Sequence, residues 1–110
     1  MKAAVFKAPG KPLSIENIDD PKCGENEMIL KVQQCGICGT DLHASDGGSM
    51  EPETGTIFGH EFSGEIVEIG KNLKTSFKIG EPAVSLPFIS CGTCQACMNG
   101  NPFFCSTNMQ

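Results

Sequence analysis

The chain has 110 residues, 39% of them hydrophobic and 19% charged, which is typical of a globular domain rather than a disordered or collagen-like protein. Its net charge of -5 and its eight scattered Lys and Arg residues disfavour nucleic acid as a partner. No apolar run approaches the roughly 18 residues of a membrane-spanning helix, and residues 1–9 lack the apolar core of a signal peptide. We therefore expect a cytoplasmic protein without nucleic-acid or membrane partners.

Short runs of strand-forming residues, separated by glycine and proline, predict a strand-rich fold. The first two runs flank a turn rich in proline and glycine, which predicts a hairpin. Thr40 can cap a short helical turn over residues 40–43, and the glycines and proline of residues 46–52 predict a flexible loop. Strands this short imply a small, partly open β-barrel or sandwich. The predicted strands cover residues 2–7, 13–18, 28–33, 62–69 and 83–86.

Residues 90–105, the cysteine lobe, show no apolar periodicity, so they predict a loop that something other than a hydrophobic core holds together. Four thiolates this close in sequence can surround one tetrahedral zinc ion, and without a histidine the site has no open position, as in structural zinc sites. Two disulfides, idle thiols or an iron–sulfur cluster are the alternatives. The lobe cysteines are Cys91, Cys94, Cys97 and Cys105.

A second candidate metal site combines residues from the middle of the chain. Cys38 and His60 offer a thiolate and an imidazole, a set that suits zinc, and Glu61 could add a third ligand. Water or an alcohol would then fill the fourth position, which is the arrangement of a catalytic zinc. Taken alone, each histidine would more often be an ordinary surface or core residue. The remaining cysteines, Cys23 and Cys35, are expected to be buried structural thiols.

Three segments in the same order resemble the zinc-dependent medium-chain dehydrogenases, a family that includes alcohol, polyol and threonine dehydrogenases. The fold that this resemblance implies is mainly β: a GroES-like, partly open barrel with short helical turns and a zinc-binding lobe. Residues 1–110 would then be an incomplete N-terminal catalytic domain without a Rossmann domain. The segments are residues 35–43 (CGICGTDLH), residues 59–64 (GHEFSG) and the cysteine lobe.

The resemblance also implies a role for each motif residue. Cys38 and His60 would bind a catalytic zinc, with Glu61 as a direct or intermittent ligand, and the cysteine lobe would bind a second, structural zinc. Thr40 resembles the hydroxyl of a proton relay and His43 its outer end. Together these residues would let a zinc-bound alcohol lose its proton before its hydride passes to a nicotinamide ring.

One further residue, Asp41, resembles the carboxylate that orients the metal-bound imidazole of His60. The alternative is an acid that only stabilises the start of a helix. Gly39 occupies a position where some alcohol dehydrogenases carry a basic residue, which slightly favours polyol-type or threonine-type relatives.

Members of the family are much longer than this chain, and no G-x-G-x-x-G fingerprint for a dinucleotide is present. We therefore expect a truncated chain that is inactive alone. The parent enzyme would be a homo-oligomer that interconverts a small alcohol or polyol and a carbonyl compound, using NAD or NADP. The alternatives are a non-enzymatic zinc-binding or interaction module of the same fold, a co-chaperonin, and a zinc-free quinone reductase.

Overall fold

Two small antiparallel sheets form most of the fold in the computed structural model, which describes residues 1–47 and 52–107. The first sheet is the predicted hairpin, and the second has three strands in the order β3, β4, β5. Each strand lies where an alternating or strand-rich run predicts one. The strands are β1 (Lys2–Val5), β2 (Ser14–Asn17), β3 (Met28–Cys35), β4 (Phe62–Ile69) and β5 (Pro82–Val84).

Helical structure is limited to three short pieces. Helix α1 (Gly39–Ser45) confirms the predicted helical turn and extends it, while α2 (Gln95–Met98) and a 3-10 helix (Pro102–Phe104) lie in the cysteine lobe. The expectation of a plain loop for the lobe was therefore wrong. Helix α2 begins directly after Cys94, and the 3-10 helix begins with Pro102. Neither start is marked by the apolar periodicity on which the prediction relied. The loop predicted over residues 46–52 lies partly outside the described residues.

The core is small, and among the described residues most of its buried side chains lie in or next to β1: Ala3, Val5 and Phe6. Phe6 and Ile66 are fully buried, at 1% and 0% exposure. Residues 55–58 run along β1: the Phe6 amide donates to the carbonyl of Thr56 at 2.8 Å, and the Phe58 amide donates to that of Ala4 at 2.9 Å. The rings of Phe6 and Phe58 stack with centroids 5.6 Å apart. The hairpin is thus attached to the chain that leads into the second sheet.

The expectation of a mainly β fold with an open barrel is confirmed, since the two sheets do not close on each other within the described residues. Several large apolar side chains at their edges face solvent, including Val84 and Leu86 at 75% and 63% exposure. Across the described part of the chain, no helix has the length and apolar character to cross a membrane.

The pairing of β3 with β4 determines where the site residues lie. Its register shifts between Val32 and Gln34, and the ladder ends with Cys35 opposite Phe62. The amide of Gly36 then donates to the carbonyl of Glu61 at 2.7 Å. The chain leaving β3 and the chain entering β4 are therefore held side by side at this end of the sheet.

Candidate metal centres

Cys38 and His60 meet at this end of the β3–β4 pair. Cys38 follows β3 by three residues, and His60 precedes β4 by two. The Cys38 Sγ lies 3.1 Å from His60 Nε2, and both residues are partly buried. Two residues that are distant in sequence therefore form a thiol–imidazole pair, which we call the Cys38–His60 pair.

Asp41 contacts both members of this pair through one carboxylate. Its Oδ1 lies 3.4 Å from His60 Nδ1, and the Asp41 side chain is only 13% exposed. Its Oδ2 accepts a hydrogen bond from the Cys38 amide at 3.0 Å. Because the carboxylate faces the far ring nitrogen of His60, it favours the tautomer with a proton on Nδ1 and leaves the Nε2 lone pair free for a metal.

The start of α1 explains why Cys38 is well placed. Cys38 is the N-cap of the helix, and its sulfur accepts a hydrogen bond from the amide of Thr40 at 3.3 Å, while Asp41 completes a capping box. The preferred N-cap residues are Ser, Thr, Asp and Asn, so the sequence predicted Thr40 as the cap. That prediction was wrong, because Thr40 lies inside the helix. The S/T-x-x-E/Q spacing of a capping box was the available signal, with Cys and Asp at its two ends.

The donor set fits a zinc ion. Ligand atoms of Cys38, Asp41 and His60 all lie within 4.8 Å of one another. A zinc bound tetrahedrally to one sulfur and one imidazole nitrogen holds them about 3.6 Å apart, so the pair at 3.1 Å would open by only about half an ångström.

Among the described residues, the side chains of the other predicted site residues form no hydrogen bond with the Cys38–His60 pair. Glu61 is exposed, and its carboxylate is not part of the group formed by Cys38, Asp41 and His60. Thr40 and His43 are exposed on α1, three residues apart and so on the same face of the helix. Their side chains form no hydrogen bond with each other in the part of the chain that the structure describes. The ligand role of Glu61 and the relay role of Thr40 and His43 stay predictions.

The cysteine lobe brings its four sulfurs within 4.8 Å of one another. The Sγ atoms of Cys94 and Cys97 lie 3.5 Å apart, and the Cys91 amide donates to the sulfur of Cys105 at 3.3 Å. In a tetrahedral zinc–thiolate site, neighbouring sulfurs are about 3.8 Å apart. The lobe therefore fits a closed four-sulfur metal site without an open position.

Polar donors around these sulfurs favour thiolate at two of the positions. Hydrogen bonding to the Thr107 hydroxyl lowers the pKa of the Cys91 thiol to about 5. The backbone N–H of Cys97 lowers the pKa of the Cys94 thiol to about 7. Burial raises the pKa of the Cys97 thiol to about 11, so this thiol holds its proton until a cation replaces it.

Cys35 is the residue near the site that sequence reasoning placed wrongly. It was expected to be buried, but it is exposed because β3 ends there, at an open edge of the fold. Its sulfur faces Gly59, the residue immediately before His60, at 2.6 Å from the position that a Cβ on that glycine would take. The C-x-x-C spacing to Cys38 was visible in the sequence, but this contact across the strand ends was not.

Comparison with known proteins places these motifs in a family. The model of the alcohol dehydrogenase GroES-like domain matches residues 24–109. An alcohol dehydrogenase of Geobacillus stearothermophilus is 40% identical over 108 residues, covering 96% of this chain and 31% of that protein. An NAD-dependent alcohol dehydrogenase of Sulfolobus acidocaldarius is 35% identical over 111 residues, covering 96% and 32%.

A solved structure gives the same result. The zinc-dependent alcohol dehydrogenase 2 from Streptococcus pneumonia superimposes with a TM-score of 0.80 at 32% identity, covering 97% of this chain and 30% of that one. The chain spans about a third of the length of the relatives that it matches. With the motifs, their order and the fold all in agreement, the chain belongs to the alcohol dehydrogenase GroES-like domain family.

Proposed function

We propose that this chain supplies the zinc-binding and substrate-binding part of an oxidoreductase that interconverts a small alcohol or polyol and its carbonyl compound with NAD or NADP. The observation that carries the proposal is the Cys38–His60 pair with Asp41 behind the imidazole. Such a pair supplies only part of a metal shell, which leaves positions for substrate. The names of the alcohol dehydrogenase relatives support the reaction class.

The chain's own residues account for binding and proton movement. A zinc ion held by Cys38 and His60 would polarise the substrate oxygen and lower the pKa of a bound alcohol. Asp41 would keep His60 oriented through its carboxylate, whose Oδ1 lies 3.4 Å from His60 Nδ1. The Thr40 hydroxyl can take up the alcohol proton while it passes its own proton toward the ring of His43, which is exposed to water.

We assign a structural zinc to the cysteine lobe, on the basis of its four converging sulfurs. All seven cysteines are free thiols, and a reducing compartment such as the cytoplasm would keep them so. We therefore also propose a cytoplasmic location.

Metal analysis of single variants tests the two sites. We expect wild-type chain to hold one zinc at each centre, and Cys38→Ser and Cys94→Ser each to lose one, measured by elemental analysis after purification without added metal. Cys23→Ser is the matched control, since Cys23 lies outside both metal groups. Zinc loss with Cys94→Ser but not with Cys38→Ser would contradict the catalytic site.

Cobalt replacement tests whether the Cys38–His60 site is open. A small alcohol such as 1-butanol should change the cobalt d–d spectrum of wild-type chain, and this response should vanish in Cys38→Ser but persist in Cys23→Ser. In the protein that carries this domain, alcohol-dependent formation of NADH or NADPH should be lost with the same variant. Metal binding without either response would favour the non-enzymatic module.

A further inference from the structure

Cys35 makes a contact that neither metal centre uses. Its sulfur lies 2.6 Å from the position of a Cβ on Gly59. Among the described residues other than the neighbours of Gly59 in sequence, no other atom comes within 4 Å of that position. Gly59 has a φ of 109°, a conformation that non-glycine residues avoid. On this side, the backbone just before His60 is thus in contact with one sulfur atom.

The backbone after His60 is held differently. The Glu61 carbonyl accepts the 2.7 Å hydrogen bond from the Gly36 amide, which ties it to the chain leaving β3. His60 is therefore flanked by two attachments to that chain, a hydrogen bond at Glu61 and the sulfur contact at Gly59. Glycine has no side chain to fix its own place, so the sulfur limits how closely Gly59 approaches β3.

We propose that Cys35 is a positioning residue for His60. By setting the position of Gly59, its sulfur sets the separation between Cys38 Sγ and His60 Nε2, now 3.1 Å. Cys35 itself binds no metal in this role, consistent with its absence from the group formed by Cys38, Asp41 and His60. The inference rests on the proposed metal-binding function of the Cys38–His60 pair.

Removing the sulfur should loosen the site without removing a ligand. Residues that orient metal ligands change affinity by about 10-fold to 100-fold when they are replaced, so we expect Cys35→Ala to weaken metal binding at the Cys38–His60 site by about tenfold. Cys35→Ser keeps an atom at the sulfur position and should restore most of the affinity. Cys23→Ala removes an equivalent atom from a thiol outside both metal groups and should change nothing.

A double-mutant cycle isolates the contact from backbone strain. Gly59→Ala introduces a Cβ that meets the Cys35 sulfur and also strains a positive-φ position. The strain is the same in either background, so it cancels in the cycle. We expect Gly59→Ala to cost at least about tenfold in affinity with Cys35 present, and clearly less in the Cys35→Ala background.

The measurement is a cobalt titration of the full chain with the cysteine lobe already filled with zinc, followed through the visible spectrum. Zinc retention by the lobe and the thermal midpoint report whether each variant is folded. Unchanged or tighter cobalt binding in Cys35→Ala, or an equal cost of Gly59→Ala in both backgrounds, overturns the positioning role alone. No cobalt binding at the Cys38–His60 site of wild-type chain overturns the proposed metal function together with it.

Discussion

Asp41 links the secondary structure to the chemistry of the site, because one carboxylate accepts from the backbone of Cys38 and faces His60. The two contacts can be separated by substitution. Asparagine keeps an oxygen that can accept from the Cys38 amide, but it lacks the charge that favours a protonated Nδ1 on His60. Alanine loses both contacts.

We expect Asp41→Asn to weaken cobalt binding at the Cys38–His60 site by about 10-fold to 100-fold and to leave the lobe zinc in place. Asp41→Ala should add a loss of about 1 kcal/mol of stability, because the helix cap is removed as well. Asp46→Asn, at the other end of α1, is the matched control. Equal cobalt affinity in Asp41→Asn and Asp46→Asn would show that the Asp41 carboxylate does not orient His60.

The resemblance assigned Cys38, His60 and Asp41 to one site, and the structure brings them within 4.8 Å of one another. Their roles in metal binding stay predictions. The sequence did not predict the sulfur of Cys38 as a helix cap or the contact of Cys35 with Gly59. The cap is a local motif that was missed because a cysteine rarely fills that position. The contact of Cys35 depends on the way two strand ends lie side by side, which no local pattern records.

The long strand pair of the second sheet depends on a close backbone approach. Gly64 in β4 is buried, and a Cβ there would collide with the carbonyl of Lys31 on β3, which cannot rotate away. We expect Gly64→Ala to lower the free energy of unfolding by about 1–3 kcal/mol. Gly39→Ala, at the first position of α1, meets nothing within 4 Å and should be neutral or stabilising by up to about 1 kcal/mol.

Urea denaturation of the zinc-loaded variants measures this difference. Retention of zinc by both variants is the control that the metal centres still form. If Gly64→Ala is as stable as Gly39→Ala, the β3–β4 backbones do not approach as closely as the structure shows.

Apart from its four sulfurs, the cysteine lobe has little buried apolar surface to stabilise it. Cys105 is the buried apolar residue within it, whereas Phe103 and Phe104 are 67% and 79% exposed. We therefore expect chelation of zinc to open residues 90–105 to limited proteolysis while β3 and β4 stay protected. Cys94→Ser should be cleaved in the lobe without chelator, and a cleavage pattern that chelation leaves unchanged would contradict a stabilising metal.

The sequence predicted the strand bounds to within a few residues, because the alternation of apolar and polar residues is a local signal. Residues 62–69 were predicted as a strand and form β4 with the same bounds. The helical turns of the lobe were missed because their cysteines, rather than an apolar stripe, determine them. The contact of residues 55–58 with β1 was also beyond prediction, since it joins segments that are far apart in sequence.

Across the described residues, few large side chains are fully buried. Phe6 and Ile66 are fully buried, whereas Val84, Leu86 and Phe104 are mostly exposed. A chain of this size buries a limited share of its surface, so metal bound at the two candidate centres would supply much of its stability. The hairpin adds Phe6 to this core and is joined to residues 55–58 by backbone hydrogen bonds and by the stacked rings of Phe6 and Phe58.

We expect that junction to couple the amino-terminal hairpin to the Cys38–His60 pair. The amides of Phe6 and Phe58 can exchange hydrogen with solvent only when the hydrogen bonds between β1 and residues 55–58 open. Phe58 lies two residues before His60. Zinc should therefore slow exchange at both amides in wild-type chain but not in Cys38→Ser. The Ile18 amide donates a hydrogen bond to the Met1 carbonyl within the hairpin, so its exchange rate should not change with zinc. The start of the chain would thus report, through deuterium uptake, whether the Cys38–His60 site is occupied.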